Sequence, residues 1–141
     1  MEYRKFNDTY VIRMEQGEEV MSTLAAFCEK EGIGLASVEA LGATDHAVVG
    51  IYDVATKVYH KQAFDEPMEI SNLMGNVTRK DGQVYLHLHA TLCDQNLLTH
   101  GGHVNELRIS ATCEMFLRTL PGQVFRRLDE KETGLNLFSF Q

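Results

Sequence analysis

An alternation of apolar and polar side chains over residues 84–91, repeated over residues 107–118, constrains the fold of this chain more than any other feature. In the first segment Val84, Leu86, Leu88 and Ala90 occupy every second position. A period of two places these side chains on one face of a β-strand and the polar side chains on the other. The two segments therefore predict two half-buried strands of an antiparallel sheet, joined by an irregular loop.

Helical spacing is clearest over Glu18–Glu31, where apolar side chains recur three or four residues apart and Gly32 follows. This spacing predicts an amphipathic helix that ends at the glycine. Further short strands are predicted at Thr9–Met14, Ala36–Leu41, Ala47–Tyr52, Lys57–Gln62 and Met68–Val77. The predicted fold class is α+β, in a single domain spanning residues 1–141. A mainly antiparallel β-sheet is flanked by one long helix, with further short helices allowed.

Charge and cysteine content exclude several classes of function. The net charge is −7, from 20 acidic and 13 basic side chains, which disfavours direct binding to DNA or RNA. The three cysteines are odd in number and widely spaced, which predicts reduced thiols and a cytoplasmic location. No segment approaches the roughly 20 apolar residues of a membrane span, so neither secretion nor membrane insertion is expected.

Histidines on the polar face of the first alternating segment suggest a metal site. His87 and His89 are two residues apart, so a strand directs both imidazoles to the same side. Cys93, His100 and His103 follow closely enough for one of them to supply a third ligand. The glycine pair at 101–102 favours His103, because glycines let the backbone turn sharply and approach the strand closely. The predicted metal is zinc.

A second interpretation of these histidines stays open. Chance alone gives roughly 0.25 histidine pairs at this spacing in a chain of this composition, so the pair is weak evidence on its own. The histidines would then be polar residues on the solvated face of an amphipathic strand. The two remaining histidines, His46 and His60, are predicted to be surface residues.

Three imidazoles leave one position of a tetrahedral zinc ion open, as in catalytic rather than structural zinc sites. Such an ion could activate water or hold a small anionic ligand. Glu39, Glu69 and Glu114 lie in predicted strands and are candidates for a general acid or base, although strand glutamates usually face solvent. No nucleotide-binding loop or serine-nucleophile motif occurs, and no catalytic residue is assigned. Whether the chain is an enzyme is left open.

The segments Leu86–Ala90 and Gly101–His103 resemble the plants and prokaryotes conserved (PPC) domain in its stand-alone bacterial and archaeal form. The resemblance extends along nearly the whole chain. Its other landmarks are Arg13, Gly17–Glu19, Ala40–Ala43, Tyr52–Asp53, Glu69–Ile70 and Leu73–Asn76. It implies an antiparallel sheet flanked by helices, a homotrimer, and zinc bound by His87, His89 and His103.

Plant members of this family imply an alternative function. They couple the domain to AT-hook motifs and act in transcription, which suggests a DNA-associated oligomerisation module. DNA contact in those proteins resides in the Arg-Gly-Arg core of the hook, and this chain contains no Arg-Gly-Arg. Direct DNA contact is therefore not expected from its own residues.

Overall fold

The computed structural model describes residues 1–140. Within that range the chain forms one helix and nine strands. In chain order these are β1 (Glu2–Phe6), β2 (Thr9–Glu15), α1 (Val20–Lys30), β3 (Ala36–Asp53), β4 (Val58–Phe64), β5 (Met68–Lys80), β6 (Gln83–Cys93), β7 (Thr99–Thr119), β8 (Phe125–Leu128) and β9 (Asn136–Ser139). The mainly antiparallel sheet and the long helix agree with the sequence prediction. The further short helices that it allowed are absent from residues 1–140.

All nine strands belong to one sheet, in which β7 and β3 are the longest members and pair with each other. β5 pairs with the other edge of β3, and β6 pairs with β5. The sheet then closes on itself, because β6 also pairs with the first residues of β7. This closure places β6 between β5 and β7 and sets the position of the candidate site.

β3 crosses a point where the sequence predicts a break. Two strands were expected at Ala36–Leu41 and Ala47–Tyr52, but one strand runs through both, with register shifts around Gly42 and Thr44. A Cβ on Gly42 would lie 2.2 Å from the Thr112 carbonyl oxygen, so only glycine allows this approach to β7. The buried Thr44 hydroxyl lies at this irregularity, 2.7 Å from the Arg108 carbonyl oxygen of β7, to which it donates.

Helix α1 covers the inner face of the sheet. Its start is fixed by Glu19, whose carboxylate accepts hydrogen bonds from the backbone N–H groups of Met21 at 3.0 Å and Ser22 at 2.7 Å. Its end is followed by Gly32 with φ +67°, which confirms the predicted helix stop. The apolar side of the helix, with Leu24 and Phe27, joins a core shared with β2, β3 and β5–β7.

Two features after residue 93 differ from the prediction. The loop expected between the two alternating segments is confined to residues 94–98, because β7 already begins at Thr99. The C-terminal hairpin of β8 and β9 was not predicted from the sequence. It joins the sheet through one parallel bridge between Arg79 and Phe125.

The three cysteines are free thiols within residues 1–140, with Cys28 and Cys113 fully buried and Cys93 half-buried. Burial raises the pKa of the Cys28 and Cys113 thiols to about 12. No helix in the described part of the chain is long and apolar enough to cross a lipid bilayer.

His60 is exposed as expected, and His46 is a partly exposed surface residue with two partners that the sequence does not reveal. The half-buried imidazole of His46 lies between two carboxylates, with Nδ1 2.5 Å from Asp65 and Nε2 3.2 Å from Glu106. Hydrogen bonds to Asp65 and then to Glu106 raise the pKa of His46 above its ordinary value. His46 therefore joins β3, β7 and the turn after β4 through a charge that depends on pH.

We expect the stabilisation from His46 to be present in mild acid and lost in base. Because the pKa is higher in the folded state, the contribution is complete below about pH 6.5 while both carboxylates are ionised, and it disappears as pH rises through the folded-state pKa. The melting temperature of the wild type should exceed that of His46→Gln by more at pH 6 than at pH 9. The His60→Gln variant is the control and should show no such dependence. A gap that is constant with pH would contradict the proposed charge pairing.

Candidate metal centre

β6 presents two histidines on its outer face, as the alternation predicts. Leu88, Ala90 and Leu92 point into the core and are buried, while His87 is half-buried and His89 is exposed on the other side. The two imidazole ring centroids are 5.1 Å apart. Because the core holds the apolar side of β6, both imidazoles are directed to the same region outside the sheet.

β7 supplies the third histidine. His103 is paired directly with His89 in the β6–β7 register. Its ring centroid lies 5.6 Å from that of His89 and 5.2 Å from that of His87. One potential ligand atom from each of the three residues lies within 4.8 Å of the others. The structure thus brings together the three histidines selected from the sequence.

The glycine pair before His103 confirms the predicted close approach but not the predicted sharp turn. Gly101 and Gly102 lie inside β7 rather than in a sharp turn. A Cβ on Gly101 would lie 2.3 Å from the Ala90 carbonyl oxygen, and one on Gly102 would lie 2.6 Å from the Gly50 carbonyl oxygen. The glycines therefore allow β6 and β3 to approach β7 closely on either side, and this packing places His103 beside His89.

The other candidate ligands lie outside this cluster. His100 packs against the Phe64 ring at 4.9 Å between centroids, and its Nε2 is 2.9 Å from the Asp94 carboxylate. The Cys93 thiol is 3.9 Å from the Asp94 carbonyl oxygen. Both residues belong to the region around the turn that connects β6 to β7.

The three glutamates considered as acid or base groups are also outside the cluster. Glu39, Glu69 and Glu114 are exposed on β3, β5 and β7. Their exposure agrees with the plain interpretation that strand glutamates face solvent.

The imidazoles are suited to metal because two of them resist protonation. Burial, followed by the charge of Arg126 and by the neighbouring imidazoles, lowers the pKa of His87 to about 4. Burial is also the main cause that lowers the pKa of His103. A neutral imidazole is the form that binds a metal ion, so protons compete weakly at these two residues near neutral pH.

The donor set fits a zinc ion with an open position. Zinc–nitrogen bonds of about 2.0–2.1 Å place tetrahedral donors roughly 3.3 Å apart. The three ligand atoms are within 4.8 Å of one another, so small side-chain rotations would bring them to that spacing. Three imidazoles with no thiolate or carboxylate are typical of catalytic rather than structural zinc sites.

Sequence reasoning missed Arg126, the charged residue that contacts this cluster. Its Nη2 lies 3.4 Å from Nδ1 of His87 and donates to the Asn76 side-chain oxygen at 2.7 Å. Asn76 is the β5 partner of His87 in the sheet register. The only sequence signal was an Arg126–Arg127 pair, because the contact depends on a hairpin that docks 39 residues after His87.

Two uncharged residues, Asn105 and Tyr59, contact His103. The Asn105 side-chain amide donates to the Tyr59 hydroxyl at 2.6 Å and to the His103 carbonyl at 3.2 Å. The Tyr59 and His103 rings meet edge to face at 6.2 Å between centroids. His89 also lines an open cleft of about 400 Å³, together with Asn72, Met74, Thr91 and Thr99, among others. A small ligand could therefore reach the cluster from solvent.

Solved structures similar to this chain cover nearly its full length. A candidate DNA-binding protein from Bacteroides thetaiotaomicron matches with a TM-score of 0.95 and 30% identity, over 99% of this chain and 96% of its own. A metal-containing protein from Archaeoglobus fulgidus gives a TM-score of 0.87 and 34% identity, over 98% and 95% respectively. A plant- and prokaryote-conserved (PPC) protein from Pyrococcus horikoshii gives a TM-score of 0.86 and 29% identity, over 99% and 94%.

A comparison with curated proteins gave no sequence match. The sequence profile of the Plants and Prokaryotes Conserved (PCC) domain matches residues 1–121, which include all three histidines of the cluster. The structural similarity to the Pyrococcus protein agrees with this match. The chain therefore belongs to the Plants and Prokaryotes Conserved domain family, in a form that agrees with the stand-alone prokaryotic members.

Proposed function

We propose that this chain is a zinc-binding protein in which His87, His89 and His103 hold the ion and leave one position open for a small ligand. The observation that carries the proposal is the convergence of three histidine ligand atoms to within 4.8 Å of one another. The low pKa values of His87 and His103 support it, because they keep these imidazoles neutral. A further support is the Archaeoglobus fulgidus protein, which is described as containing metal.

Zinc is proposed over other ions because of its ligand preferences. Three imidazole nitrogens match zinc, whereas magnesium and calcium prefer oxygen ligands. A zinc ion held this way supplies an electrophilic position that binds an anion or polarises a carbonyl. The proposed role is therefore small-molecule binding or catalysis at this position, with the substrate unassigned.

We further propose that residues 1–141 form one domain and that the protein is located in the cytoplasm. The three free thiols support the cytoplasmic location.

The zinc proposal predicts about one metal ion per chain. Elemental analysis of the purified protein should find this stoichiometry and identify the ion. The metal content per chain should fall close to zero when His87, His89 and His103 are all replaced by alanine, because no histidine ligand then remains. The His100→Ala variant is the matched control and should keep its metal, since His100 pairs with Asp94 instead. A metal-free wild type, or equal loss in the control, would contradict the proposed ligand set.

We also propose that the chain assembles as a homotrimer, as its family resemblance implies. Three exposed apolar side chains form an outer patch on the sheet: Leu41, Met74 and Phe116, each more than half exposed. Glu39 on β3 is the register partner of both Met74 and Phe116, so these two side chains share a face. Burying the outer patch against neighbouring copies would remove apolar surface from water. The position of Met74 opposite His89 would place the metal beside that contact.

The trimer proposal predicts that a charge in the outer patch weakens assembly. Sedimentation velocity should give the mass of three chains for the wild type and a shift towards one chain for Phe116→Asp, because a carboxylate buried in the contact would be desolvated. Leu97→Asp is the control, since Leu97 is exposed on the turn before β7. A monomeric wild type would exclude the trimer, and an unchanged mass for Phe116→Asp would exclude this patch as its contact.

The alternative function is a DNA-associated, transcription-linked oligomerisation module. It is favoured by the similar structure from Bacteroides thetaiotaomicron, which is described as a candidate DNA-binding protein. The net charge of −7 argues against direct contact, because DNA binding depends on neutralising phosphates with basic side chains. An association with DNA would then act through protein partners.

Direct DNA binding can be tested by fluorescence anisotropy. We expect no binding of labelled duplex DNA in 50 mM salt, because the acidic chain repels the polyanion. A direct binder would show affinity that falls steeply between about 50 and 200 mM salt. That result would favour the alternative function over a small-molecule site.

A further inference from the structure

Arg126 carries a positive charge that is partly buried and has no acidic partner within residues 1–140. Two arginines of the chain, Arg79 and Arg126, are half-buried, and the others are exposed. Arg79 forms an ion pair with Glu29 at 2.6 Å. Arg126 forms none in the described part of the chain. A charge removed from water in this way ordinarily requires a partner.

The residues around Arg126 hold its guanidinium group in one orientation. The guanidinium carbon lies over two aromatic rings, 4.8 Å from the centroid of Tyr85 and 4.5 Å from that of Phe138. Its Nε donates to the Thr78 hydroxyl at 2.9 Å, and its Nη1 donates to the Asn136 carbonyl at 2.8 Å. These two cation–π contacts and the hydrogen bonds fix the orientation of the guanidinium before any ligand arrives.

One Nη2 N–H group of Arg126 faces the histidines without a short hydrogen bond. A guanidinium has five N–H groups, and three of them donate to Thr78, Asn136 and Asn76. A fourth faces Nδ1 of His87 at 3.4 Å, which is longer than a typical hydrogen bond. The fifth is unassigned among the described residues. An oxyanion beside His87 could therefore accept a hydrogen bond from this guanidinium at little cost.

The charge balance of the proposed metal site calls for such an anion. The ligand cluster consists of three histidines and includes no carboxylate. A divalent ion there, together with Arg126, would place three positive charges close together with no negative side chain in contact. Low-dielectric surroundings make an uncompensated charge of this size costly.

We infer that Arg126 is the residue that recognises an anionic ligand of the metal site, and that this ligand is a small carboxylate. One carboxylate oxygen would occupy the open metal position and the other would accept from Arg126. This inference rests on the proposed function, because it needs the metal. A guanidinium N–H forms a strong, charge-assisted hydrogen bond with a carboxylate oxygen.

The surroundings favour a small carboxylate over a polyanion. A nucleotide or an oligophosphate would need several cations, and the site offers one guanidinium beside the ion. The cleft next to His89 is open, with uncharged Asn72, Thr91 and Thr99 among its lining residues. The negative charge of the whole chain adds to the discrimination, because it repels highly charged ligands more strongly.

The test uses the full chain loaded with Co²⁺, whose visible absorption reports changes in coordination, and acetate as the probe. Acetate should change the spectrum with saturation, and uncharged acetamide should not. The Arg126→Gln variant should bind acetate at least tenfold more weakly, because a charge-assisted hydrogen bond is lost. Arg127→Gln on the same hairpin is the matched control and should bind like the wild type, since Arg127 is exposed. Equal acetate affinity in Arg126→Gln, or equal responses to acetate and acetamide, would overturn the inference.

Cobalt content measured on the same samples separates the two proposals. A wild type that takes up no metal contradicts the proposed function, and this inference then fails with it. A wild type that binds cobalt, with acetate affinity indifferent to Arg126, overturns the inference and leaves the metal site standing.

A second measurement covers the case in which Arg126→Gln disturbs the hairpin. ¹⁵N NMR of the wild-type zinc protein should show the Arg126 side-chain signals shift on adding acetate and the Arg127 signals stay unchanged. The absence of a shift at Arg126 would overturn the inference without any variant.

Discussion

The pairing of β6 with both β5 and β7 is the constraint on which the rest of the structure depends. It closes the sheet and brings residues 14 positions apart in sequence, His89 and His103, into direct register. The pairing is fixed by burial, because Leu88 and Leu92 on β6 are fully enclosed in the core. A slip of one residue would turn these leucines outwards and the histidines inwards. The same apolar contacts that stabilise the fold therefore set the direction of the three imidazoles.

Local pattern was sufficient to predict much of this arrangement. The alternation over β6 identifies the outward face of His87 and His89, and the amphipathic spacing of α1 identifies the helix and its glycine stop. These features depend on neighbours within a few residues, where periodicity and propensity carry the information. His103 was selected through its glycine pair, for which the predicted close approach is confirmed and the predicted sharp turn is wrong. The glycines permit close packing between strands, which can be recognised only when the strand partners are known.

The unpredicted features depend on contacts between distant segments. β3 continues through Gly42 because β7 packs against it, and no local signal distinguishes that continuation from a turn. The environments of Arg126 and His46 likewise arise from residues far away in sequence, such as Asn76 and Glu106. The sequence alone does not show which distant residues lie beside Arg126 or His46. Their partners become visible only in the folded structure.

The attachment of the C-terminal hairpin has a kinetic consequence. The hairpin contacts the sheet backbone through a single bridge, and it lies beyond the 121 residues that match the family profile. The histidines belong to long strands paired on both sides, so their arrangement persists for as long as the sheet does. Arg126 is held by side-chain contacts that can open without unfolding the sheet. Under the proposed function together with the inference for Arg126, the sheet would govern how long the metal stays, while brief opening of the hairpin would govern how fast a bound anion leaves.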